Sequence, residues 1–144
     1  MRQRLTGYDH KILAPMNSRR HPASGVASVI LIAMILFLTL TPNPLPDKTP
    51  PMFPGADKLA HAAMFGALAL TLLFDYRLIN RRLPSVRTAV AATAAASVFG
   101  GLIEILQQAM GMGRTAEWGD FVADTAGAFG ALALFLIILR FRRN

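Results

Sequence analysis

Four apolar runs, each free of charged side chains for fifteen residues or more, constrain this 144-residue chain more than any other feature. They are Ser24 to Leu40, Leu59 to Phe74, Thr88 to Ile103 and Thr125 to Leu139. A soluble domain of this length carries closer to a quarter charged residues. Here 53% of residues are apolar and 16% charged, and the apolar ones form long runs instead of short periodic ones. A membrane-crossing helix needs about 20 residues, so the last three runs span only by drawing polar residues of one end into the interface. The expected fold is all-α, a four-helix transmembrane bundle with spans near 24–41, 57–74, 87–107 and 120–139. Residues 1–22 are expected to form a disordered basic tail, and 23–144 a single transmembrane domain.

Basic residues set the expected orientation. Of the fifteen lysines and arginines, twelve fall in the N-terminal segment (Arg2, Arg4, Lys11, Arg19, Arg20), the loop after the second run (Arg77, Arg81, Arg82, Arg87) and the tail (Arg140, Arg142, Arg143). The opposite ends hold only Lys48, Lys58 and Arg114, beside Asp47, Asp57, Glu117 and Asp120. By the positive-inside rule both termini are cytoplasmic. The net charge of +7 therefore reflects topology and not nucleic-acid binding.

The first run is preceded by arginines, as in a signal peptide, but no small-residue cleavage site follows it. It is expected to be retained. Met16 is a second candidate start, beside Met1. The first outer loop, Thr41 to Ala56, holds six of the nine prolines and reads as a stiff, extended connector. The loop from Tyr76 to Arg87 reads as a short cytoplasmic turn. Phe53, Tyr76 and Trp118 sit at run ends, where interfacial aromatics belong. The absence of cysteine excludes disulfides, thiolate metal sites and cysteine nucleophiles.

Glu104 follows sixteen residues without a charge. A carboxylate at a helix centre in the bilayer costs about 2.5–3.5 kcal/mol, and less toward the ends, so it should face other helices and be paired. Counting twenty residues from each cytoplasmic end puts Glu104, Asp124 and the group Asp57, Lys58 and His61 at nearly one depth, roughly 3–9 Å below the outer surface. Asp57 and His61 share a helix face at a spacing of four. Glu104, Gln107 and Gln108 stand at i, i+3, i+4 on one helix face, and Asp120, Asp124 and Gly127 share a face at i, i+4, i+7. Gly100, Gly101, Gly127, Gly130 and the alanines of the third run permit close helix approach below these stripes. The second, third and fourth helices are expected to pack together, with the bulkier first as a flank. Arg114, in the loop Met110-Gly111-Met112-Gly113-Arg114, carries a guanidinium suited to carboxylates or phosphate.

The segments DKLAH (57–61), GGLIEILQQ (100–108), GRTAEWGD (113–120) and DTAGAFG (124–130) resemble the VanZ-like family of small bacterial membrane proteins. The resemblance covers Ala56 to Ala133. The family pattern of Asp-Lys followed by His matches Asp57, Lys58 and His61; its Glu and Gln match Glu104 and Gln107; its loop Arg and following Asp match Arg114 and Asp120. Asp124 stands where many relatives have Asn, making the cluster more acidic. The resemblance implies the cell envelope and a link to low-level resistance to the glycopeptide teicoplanin.

The expected site is thus a polar cluster of Asp57, Lys58, His61, Glu104, Gln107, Arg114, Asp120 and Asp124 under the outer face. Its expected role is non-enzymatic: to bind or position an amphiphile, such as a lipid-linked envelope intermediate, through Arg114. Asp57, Glu104 and Asp120 would hold the arginine and His61. The alternatives are a membrane-embedded enzyme with His61 or Asp124 as acid–base, and a pure helix-packing module. His61 with Glu104 and Asp120 or Asp124 would suit a divalent cation, yet no HExxH-type signature is present, so no metal and no cofactor is expected. Expected partners are membrane lipids or the lipid-linked intermediate, and a membrane protein, but not nucleic acid.

Overall fold

A computed structural model describes residues 25–41, 53–111 and 117–142. The basic tail 1–22, Met16, most of the proline-rich loop, and Arg114 lie outside the described residues. The described residues form four helices: α1 (Val26–Leu40), α2 (Ala56–Asn80), α3 (Val86–Met110) and α4 (Trp118–Phe141). No strand occurs among the described residues. The three longer helices have the length and apolar character to cross a membrane, whereas α1 has 15 residues. The large apolar side chains left uncovered, among them Val29, Ile30, Leu59, Phe74, Val98, Ile105, Val122, Phe129 and Ile137, are distributed over all four described helices. Apolar surface on that scale suits lipid and not water.

α2 is longer than the apolar run that announces it. The run ends at Phe74, but the helix continues through Asp75, Tyr76 and Arg77 to Asn80. The turn expected over Tyr76 to Arg87 shrinks to residues 81–85. Nothing in that sequence breaks a helix before Arg81, which takes the left-handed conformation at φ 53° and closes α2. Pro84 then disfavours the helical conformation at Leu83. Ser85 caps α3 by accepting the Thr88 N–H at 3.1 Å. α3 runs to Met110 and stops at Gly111, where φ is 58°.

α4 packs against both α2 and α3, and α2 against α3; α1 lies along α2 and α3 without touching α4. The core is a thin apolar column of Ile35, Phe65, Leu68, Ala69, Ala96, Ile103, Ala128 and Ala131. Small residues bring the backbones together. A methyl group on Gly127 would overlap the Ala62 carbonyl, so α2 and α4 meet backbone to backbone at that level. One turn away on α3, a methyl on Gly100 would come within 2.5 Å of Asp124 Oδ2. The cores of α2, α3 and α4 are therefore close enough for short acidic side chains to meet between them.

Candidate functional site

Lys58 gathers the acids of the outermost layer. Its Nζ lies 3.1 Å from Asp57 Oδ2, 3.1 Å from Glu117 Oε2 and 3.3 Å from Asp120 Oδ1, linking the start of α2 to the start of α4. Gly119 makes this possible, because a side chain there would strike Lys58 Cε. Asp57 and Glu117 are more than half exposed, and such ion pairs contribute little stability in water.

One turn deeper, His61 is buried against Asp124. Nδ1 lies 2.9 Å from Asp124 Oδ1, and Asp124 is wholly enclosed. When Asp124 is ionised it can only accept, so Nδ1 then carries a proton, and in the neutral ring Nε2 keeps its lone pair. Nε2 faces Asp120 Oδ2 at 3.9 Å. The sequence expectation that Asp57 orients His61 is corrected here. The two share a helix, but Asp57 is taken up by Lys58, and Asp124 from α4 orients the ring.

Glu104, 7% exposed, reaches from α3 to the N-terminal edge of α4. Oε2 accepts the Glu117 backbone N–H at 2.9 Å, while Oε1 is buried without a hydrogen-bond partner. The N-terminus of a helix has unpaired N–H groups and favours negative charge, so this contact is a cap supplied from a neighbouring helix. His61, Glu104 and Asp120 each present one ligand atom, and all three lie within 4.8 Å of one another.

One expected member stands apart from this group. Gln107 Nε2 donates to the Thr39 carbonyl at 2.8 Å, bracing α3 against α1 rather than joining the acids. Arg114 lies outside the described residues, so the structure gives it no position. Two other residues escaped the sequence reading. Glu117 contributes both its carboxylate and its backbone N–H, a role hidden because the span was taken to start at 120. Asp75, buried at the opposite end of α2, accepts the Ser28 hydroxyl at 2.5 Å and the Ser28 N–H at 3.2 Å. Its position seven residues after buried Leu68 was the available signal, masked by neighbouring arginines that read as a loop.

Beside the cluster, α3 and α4 frame a lateral cleft of about 540 Å³. Val98, Leu102, Ile105 and Phe121 make it apolar, Trp118 stands at its side, and Glu104 and Glu117 supply its polar end. The cleft and the His61 group share Glu104. At the other end of the bundle, Arg77, Leu83, Pro84 and Arg142 border a single groove, so the basic ends of α2 and α4 lie together.

The family model for VanZ/LLP1 matches residues 13–140, nearly the whole chain. No curated protein and no solved structure matches.

Proposed function

Since this chain belongs to the VanZ/LLP1 family and is a membrane protein, we propose that it serves the bacterial cell envelope by binding or positioning an amphiphile on the non-cytoplasmic side of the inner membrane. Both termini then face the cytoplasm and α1 completes four spans. The clustering of Arg77 and Arg142 at one end of the bundle and of acids at the other supports that orientation.

The observation that carries the reading is the cleft between α3 and α4. It is apolar along its length, acidic at one end, and flanked by helices whose outer surfaces are apolar. Binding sites for amphiphiles combine an apolar lining with a few placed polar groups. An acyl or isoprenyl chain fits Val98, Leu102, Ile105 and Phe121, with its head group beside Glu104 and Glu117. Arg114, three positions before Glu117 in the sequence, supplies the cation for an anionic head group such as the phosphate of a lipid-linked wall intermediate.

The test uses full-length protein in detergent micelles and a long-chain polyprenyl phosphate as probe. Saturable binding should weaken at least tenfold on filling the cleft with Leu102→Trp and on removing the cation with Arg114→Ala. Val29→Trp, on the uncovered face of α1, should leave it unchanged. If both cleft variants bind the probe as the parent does, the reading fails. Release of inorganic phosphate from the probe would replace it with an enzymatic one. The resistance link suggested by the family is checked in cells: expression should raise tolerance to teicoplanin, and Leu102→Trp should abolish the gain.

A further inference from the structure

The acids of the site outnumber the cations available to them. Among the described residues of the site, Asp57, Glu104, Glu117, Asp120 and Asp124 face one ammonium, Lys58, and one imidazole, His61. Lys58 contacts Asp57, Glu117 and Asp120 and no oxygen of Glu104 or Asp124. The deeper pair shares only the imidazole. Glu104 Oε1 and Asp124 Oδ2 are buried with no hydrogen-bond partner. Unpaired carboxylate oxygens in a low-dielectric interior are costly, and such charges are normally paired or bound to a metal.

Two groups of acids could hold an ion, and they differ in what already occupies them. Asp57, Glu117 and Asp120 form one, but the Lys58 ammonium stands at 3.1–3.3 Å from all three and does the work of a cation there. His61, Glu104 and Asp120 form the other; Lys58 reaches it only at Asp120 Oδ1, while Asp120 Oδ2 faces His61. We propose that His61, Glu104 and Asp120 bind a divalent transition-metal ion, with Asp124 as the outer partner of His61.

Geometry and chemistry agree on this. Asp124 Oδ1 holds the Nδ1 side of the ring at 2.9 Å, leaving Nε2 to face Asp120. Metal-bound histidines almost always donate their other ring N–H to a carboxylate or carbonyl, which fixes the tautomer and strengthens the ligand. Gly100 leaves the room that Asp124 needs to take this position. Ligands bonded at about 2.1 Å lie roughly 3–3.5 Å from one another. The Nε2 to Oδ2 separation of 3.9 Å therefore closes by less than about 1 Å on binding. One imidazole and two carboxylates suit Zn²⁺ or Mn²⁺ better than Mg²⁺ or Ca²⁺, which prefer oxygen alone. Three protein ligands leave positions open to water or an anion. Glu104 also borders the apolar cleft, so the ion would present positive charge to an anionic head group lodged there. That last step rests on the amphiphile reading; ion binding does not.

The test needs no lipid probe. Full-length protein in detergent is stripped with a chelator, dialysed against Zn²⁺ or Mn²⁺ at fixed ionic strength, and its bound metal measured. The expected result is one ion per chain. His61→Gln, Glu104→Gln and Asp120→Asn should each weaken binding more than tenfold, and Asp124→Asn by about 10–100-fold. A variant lacking His10 and His21 should bind like the parent. The parent protein also gives an independent readout: bound Mn²⁺ should show nitrogen hyperfine coupling in its electron spin echo, lost in His61→Gln. Uptake well below one ion per chain, equal uptake in parent and His61→Gln, or Mn²⁺ without nitrogen coupling would each overturn the proposal. Ion binding together with failure of polyprenyl phosphate to bind would remove the amphiphile reading alone.

Discussion

Gln107 shows how a polar residue inside a membrane helix can be structural while its neighbours are chemical. The last carbonyls of a helix have no partner within it, and Thr39 stands in the final turn of α1. Gln107 Nε2 satisfies that carbonyl from α3. Gln107→Leu should lower stability by about 0.5–1.5 kcal/mol, the usual range for a hydrogen bond in this setting. Thermal unfolding in detergent measures the loss, and zinc binding should not change. Glu104 stands one turn away and differs in kind, because one of its oxygens has no partner at all. Glu104→Gln should therefore spare the fold, since an amide oxygen still accepts the Glu117 N–H, while abolishing ion and amphiphile binding. Loss of folded protein with intact binding in the surviving fraction would mark Glu104 as structural.

At the level of the helices, the fold depends on how closely α2 and α4 approach. Gly127 has no space for a side chain, because a methyl there meets the Ala62 backbone. Gly127→Ala must push the two helices apart, costing about 1–3 kcal/mol as overpacking and carrying Asp124 away from His61. Gly130, one turn on, faces open space, and Gly130→Ala should be neutral. Comparing the two by unfolding and by zinc affinity separates helix contact from helix propensity. The Ser28 hydroxyl and N–H on Asp75 fasten the other end of α2 to α1. Ser28→Ala would leave a buried carboxylate short of a donor, and a loss of about 1–3 kcal/mol is expected from unfolding measurements.

On the scale of the whole molecule, charge asymmetry and the membrane together decide which end carries the site. The chain has no cysteine, so single cysteines report topology cleanly. Cysteine at the exposed positions Phe53 or Trp118 should react with a membrane-impermeant maleimide in intact cells. Cysteine at Leu83, in the turn between α2 and α3, should react only after permeabilisation. The reverse pattern would place the acidic cluster in the cytoplasm and remove the envelope reading.

The helical class, the three membrane-length helices and the family were all legible in the chain before any coordinates. Hydropathy runs and motif spacing are local properties, carried by every segment whatever it later packs against. The lengths of α2 and of the turn after it were not, because arginines beside Asp75 look like loop until a serine on another helix is found to cover the carboxylate. Partner choice was decided by tertiary structure alone. Sequence spacing offered Asp57 to His61, yet Gly127 brings α4 so close to α2, and Gly100 leaves such room on α3, that Asp124 reaches the ring first. Distances between helices depend on which small residues face each other, and a linear pattern does not contain that information.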